Sequence, residues 1–72
     1  MRVMFINNGG GGYAHYVETD PGITIDKFLS DKLPGYKPGD LLIRVNRLPV
    51  PQDYILQEND RVSATPLKIE GA

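Results

Sequence analysis

One stretch of this chain carries apolar side chains at helical spacing: Ile25, Phe28, Leu29 and Leu33 fall at i, i+3, i+4 and i+8 and form a single stripe. Thr24 stands where an N-cap belongs, and Asp26 lies in the first turn, where the helix dipole favours negative charge. Lys32 sits in the last turn and Pro34-Gly35 stops the helix. A helix of two to three turns with one apolar face must be covered by something else, and the flanking segments read as strands.

Arg2 to Asn7 is rich in β-branched and aromatic residues, and Tyr13 to Thr19 resumes that composition after the run Asn7-Asn8-Gly9-Gly10-Gly11-Gly12. Glycine tolerates positive φ, so the run reads as the tip of a β-hairpin. A phosphate-binding loop is excluded, because no Gly-Lys-Ser/Thr follows and the glycines lead into a strand instead of a helix N-terminus. After Asp20-Pro21-Gly22 comes the helix, then a loop from Tyr36 to Asp40. Leu41 to Val45 is the third strand, with Leu41, Ile43 and Val45 on one face and Leu42 and Arg44 on the other. Asn46-Arg47 turns the chain into a short edge segment, Leu48-Pro49-Val50-Pro51, where proline is tolerated. Tyr54-Ile55-Leu56 is an apolar anchor, and Glu58-Asn59-Asp60 is a turn in which Asn59 best accepts the left-handed conformation. Arg61 to Thr65 is the last strand, with Val62 inward and Ala64 a further inward candidate; Pro66 should end its pairing.

The order ββαββ predicts an α+β architecture, a four- to five-stranded mixed sheet packed on one helix and wet on its other face. Residues 1–66 form the domain and residues 67–72 a flexible C-terminal tail. Val3, Phe5, Val17, Ile25, Leu29, Leu33, Ile43, Val45, Leu56 and Val62 are expected to be buried together.

A chain of 72 residues has room for one core, and without cysteine no disulfide can reinforce it. Its only histidine, His15, lies mid-strand, and no Asp/Glu cluster has ligand spacing, so neither a metal nor another cofactor is expected. The 40% hydrophobic content must do the work. A net charge of −1, with scattered basic residues, argues against nucleic acid as a partner. No apolar stretch approaches the ~20 residues that cross a bilayer, and the first residues lack signal-peptide architecture. The cytoplasm is the default compartment. No nucleophile-base set or paired carboxylates can be assembled, so an enzyme is not expected.

Certain residues also carry a resemblance. Val45-Asn46, followed by Asp53-Tyr54-Ile55-Leu56-Gln57-Glu58-Asn59-Asp60-Arg61-Val62, resembles the second half of the ubiquitin-like sulfur carriers of thiamine and molybdopterin biosynthesis. There a V-N-G turn precedes an apolar segment, a G-D-r-V turn and strand, and a terminal Gly-Gly. Asp53-Tyr54 and Leu56-Gln57 are similar to ubiquitin's own D-Y-x-I-Q, and Pro21 to Leu29 looks like the family's approach to its helix. The resemblance implies a ubiquitin-like β-grasp fold. It also implies a tail that an adenylating enzyme threads and activates with ATP, giving a thiocarboxylate or a protein modifier. This chain departs where that chemistry occurs: it ends Glu70-Gly71-Ala72 in place of Gly-Gly, and Asn46-Arg47 replaces Asn-Gly.

Two functions follow. One is a noncovalent protein-interaction module. The other is a sulfur carrier or modifier activated at its C-terminus, at Gly71 and Ala72, whose partners would be an adenylating enzyme or a synthase subunit. Under both, Leu42 and Arg44 on the open sheet face, joined by Leu67, Lys68 and Ile69 if the last strand pairs with the third, are the expected partner-binding residues.

Overall fold

The computed structural model describes residues 1–8, 12–33 and 35–67. Strand β1 (Arg2–Asn7) and strand β2 (Tyr13–Glu18) form an antiparallel hairpin with Val3 opposite Val17. Helix α1 (Ile25–Lys32) follows, then a 3-10 turn (Pro38–Asp40), β3 (Leu41–Val45), β4 (Leu48–Pro49) and β5 (Arg61–Pro66). The sheet order is β2-β1-β5-β3-β4, and β5 runs parallel to β1 at the centre while the other pairs are antiparallel. The expected mixed sheet therefore has five strands.

The helix forms as its sequence dictates. Thr24 accepts the Lys27 amide at 3.2 Å, Asp26 and Lys32 lie in the first and last turns, and the Leu33 amide closes onto the Leu29 carbonyl. Gly35, at φ +79°, takes the left-handed turn that follows. Two turns in the second half also adopt positive φ: Asn46 and Arg47 together, which makes the tight β3–β4 hairpin, and Asn59 before β5. The turn Pro38–Asp40, expected as loop, winds into 3-10 geometry.

Val3, Phe5, Ile25, Phe28, Leu29, Val45, Leu56, Val62 and Ala64 are the buried core. Phe28 meets Phe5 edge-on at 5.6 Å between ring centres. Three expected core residues, Val17, Leu33 and Ile43, are only partly buried. Each lies at a margin: Val17 on edge strand β2, Leu33 just past the last helical turn, and Ile43 beside a cleft under the helix. Phe28 and Ala64 fill the centre with them at the rim.

Strand β5 runs one residue further than expected. Leu41 faces Pro66, and the next bond runs from the Leu67 amide to the Asp40 carbonyl at 3.2 Å. That bond fixes Leu41–Pro66 as a pair whose own amides point away from each other, so the missing proline N–H costs the β3–β5 ladder nothing.

Candidate functional site

Alternation divides each strand between two environments. On the helix side lie Val3, Phe5, Val45, Val62 and Ala64. On the open side, Met4 stands between Tyr16 and Arg61, and Ile6 between Ala14 and Ser63. Arg44 stands between Ser63 and Pro49, and Leu42 opposite Thr65. Asn8 donates to the Thr65 hydroxyl at 2.9 Å and closes that end of the face. Leu67, the next open-side position of the β5 run, is 58% exposed.

The structure thus brings Leu42, Arg44 and Leu67 onto one face, as expected. Lys68, Ile69, Gly71 and Ala72 lie outside the described residues. Met4, Ile6 and Tyr16 extend the apolar surface across β1 and β2 and were missed. Their signal was in the sequence: once Val3 and Phe5 turn inward, period-2 alternation forces Met4 and Ile6 outward. Tyr16 is 56% exposed, and the Arg2 guanidinium lies 4.6 Å from its ring centre in a cation–π contact.

Arg2, Arg44 and Arg61 border this surface. Among the described residues the ion pairs are Met1 amine with Glu18 and Lys27 with Asp31, so none of the three arginines is in a salt bridge there. The face places apolar side chains beside three exposed arginines.

A buried polar corner holds the β3–β4 turn and the start of β5 in place. Asp60, 6% exposed, accepts from the Asn46 side-chain amide, the Tyr54 hydroxyl and the Gln57 backbone amide at 2.8–2.9 Å. Asn46 in turn accepts the Arg61 amide at 3.0 Å, and its own amide reaches the Arg61 carbonyl. The hydrogen bond to Asp60, helped by burial, raises the Tyr54 phenol above its ordinary pKa. Sequence reasoning placed Asp60 in a turn and gave no hint that it is buried.

His15 is exposed and stacks on Tyr13 at 5.0 Å. Among the described residues no group of three or more His, Cys, Asp or Glu side chains is placed to hold a metal. No described helix is long and apolar enough to cross a membrane.

One solved structure bears directly on this arrangement, a ubiquitin-like protein from the hyperthermophilic archaeon Caldiarchaeum subterraneum. It superposes with a TM-score of 0.67 over 96% of this chain and 99% of its own, at 13% identity. The fold is a ubiquitin-like β-grasp. At that identity the likeness speaks to fold, since β-grasp domains host many functions. No protein-family model and no curated protein matches the sequence.

Proposed function

We propose that this β-grasp domain is a noncovalent protein-interaction module that binds partners through the open face of its sheet. The observation that carries the reading is the placement of Leu42, Arg44 and Leu67 on the solvent side of a sheet whose other side is filled by α1. Single exposed aliphatic residues are ordinary. Here Met4, Ile6 and Tyr16 continue the apolar surface across the neighbouring strands, which an isolated exposed leucine would not do. A partner would desolvate the aliphatic centre and meet the arginines at its rim.

The test is Leu42→Asp. On the open face, away from the helix-covered core, this half-buried position tolerates the change with the fold kept, while the charge at the centre of the contact abolishes binding to a partner recovered by pull-down and titrated by calorimetry. Binding that survives at wild-type strength moves the interface elsewhere, first to the glycine-rich hairpin tip.

A second reading is favoured by Gly71 and by the resemblance to sulfur carriers. In it the terminal carboxylate attacks the α-phosphate of ATP and releases pyrophosphate; a sulfide donor then displaces AMP to leave a thiocarboxylate. An alanyl carboxylate has the same reactivity as a glycyl one, and Ala72 opposes the reading only through the methyl group it carries into a narrow channel. Incubation with a matching adenylating enzyme, ATP and a sulfur donor, followed by mass measurement, distinguishes the two. An increase equal to sulfur replacing oxygen selects the carrier, and an unchanged mass selects the module.

A further inference from the structure

The two edges of the sheet differ. At one end β4 is two residues long and is followed closely by Pro51, with Pro49 inside it, so that edge is blunted in the usual way. At the other end β2 runs for six residues without proline or lysine, and its one charge at neutral pH, Glu18, is its last residue. Strand β2 pairs with β1, and no described residue pairs with its outer side. All of it except Val17 is exposed, both tyrosines included.

Hydrogen bonds fix which backbone groups along this edge are free. The Thr19 amide donates to the Met1 carbonyl at 2.8 Å, whereas the Met4 amide donates away from β2, to the Asp60 carbonyl at 2.9 Å. The odd-numbered residues of β1 therefore serve β2, and the register sets Val3 against Val17, Phe5 against His15 and Asn7 against Tyr13. Bonded and unbonded pairs alternate in an antiparallel ladder, so Ala14, Tyr16 and Glu18 turn their N–H and C=O groups outward. Their side chains share the open side of the sheet, where the Arg2 guanidinium stacks on Tyr16. The set is symmetric about Tyr16.

We infer that β2 pairs antiparallel with β2 of a second copy of the chain, about a two-fold axis at Tyr16, joining two five-stranded sheets into one. Centring on Tyr16 sets Tyr16 against itself and Ala14 against Glu18 of the other copy, so all three bonded pairs fall inside the strand. Centring on His15 would keep only the Ala14–Tyr16 pairs inside it. The side chains agree with the first register. Ala14 leaves room beside Glu18, the two tyrosines form an aromatic cross-strand pair, His15 meets Val17 on the helix side, and no like charges are opposed. A net charge of −1 leaves little repulsion between copies. Edge pairing buries less than the ~1,200 Å² of a stable complex, so the dimer is weak and concentration-dependent. It leaves both open faces accessible side by side, and it does not rest on the function proposed for them.

The experiment is sedimentation velocity and amide exchange on the full chain between about 10 μM and 1 mM. Dimer should grow in across that range. Protection should rise with it at the amides of Ala14, Tyr16 and Glu18, and not at Tyr13, His15 or Val17, which already bond to β1. Ala14→Pro removes one outward donor at an edge position where proline is tolerated, and should weaken the dimer at least about tenfold with the melting temperature held. Tyr16→Glu and Tyr16→Lys should each be monomeric and should associate when mixed, since like charges at the axis become opposite ones; this pair keeps the test decisive if Ala14→Pro does not fold. A chain that stays monomeric at about 1 mM would overturn the proposal. So would a dimer that folded Ala14→Pro leaves unchanged, a mixture of the two Tyr16 variants that stays monomeric, or added protection that falls outside β2.

Discussion

Within β1 two pairs of residues, one step apart, live in different surroundings. Val3 and Phe5 are 0% and 1% exposed against the helix, whereas Met4 and Ile6 are only half-buried on the open face. Both pairs are apolar, so hydrophobicity alone does not say which is core. What differs is the cover: α1 supplies Phe28 and Leu29 to one side, and nothing in the described residues covers the other. The strand carries apolar residues on both faces, and only one of the faces is covered by α1.

The comparison is broken most forcefully from the inside. Phe5→Ala and Leu29→Ala should each cost about 2–5 kcal/mol, the range for truncating large side chains in a close-packed core. In a domain this small that leaves little folded protein, and thermal melting reads it directly. A melting temperature within a couple of degrees of wild type would mean that α1 does not cover the sheet as described. Asp60→Ala should come next, because it strands the Asn46 amide, the Tyr54 hydroxyl and the Gln57 amide; hydrogen bonds to a charged group are worth roughly 1.5–3 kcal/mol each and are not additive. Denaturant unfolding measures the loss.

A smaller effect should appear at alkaline pH. Tyr54, through its bond to Asp60, and Tyr36, through burial with Asp26 adding to it, hold their protons above the ordinary value of 10.0. A raised folded-state pKa contributes stability that is fully present below the unfolded value and is lost as pH climbs through the folded one. Stability should therefore fall above pH 10, and Tyr54→Phe should make that fall shallower. An unchanged slope would break the link between Tyr54 and Asp60. On the outside of the sheet the effect should be smaller: Ile6→Thr keeps β-branching at a half-buried site and should cost about 1 kcal/mol or less, read by the same thermal melting.

Much of this division was legible in the sequence because it rests on period. The α1 stripe, the Thr24 cap, the alternation of β3 and the left-handed Asn59 all follow from local rules, and each appears in the structure. The partly buried rim was harder. Val17 and Ile43 have the right parity, but their burial depends on which strands lie at the edges, a property of the whole sheet order. Asp60 was illegible for a related reason: its partners Asn46, Tyr54 and Gln57 converge only after the chain has folded. Of the candidate face, Leu42 and Arg44 came from β3 alternation, and Leu67 from pairing of β5 with β3. Met4 and Ile6 follow from the same rule, since alternation turns them outward once Val3 and Phe5 face the helix.

The central claim is that the open face recognises and the helix-covered face folds. Its most direct test is a chemical-shift map of the labelled protein as a bound partner is titrated in. The account predicts that the largest changes fall on Met4, Ile6, Tyr16, Leu42, Arg44 and Leu67. Changes confined to the outer side of α1, at Lys27, Ser30 and Asp31, with the open face unmoved, would contradict it.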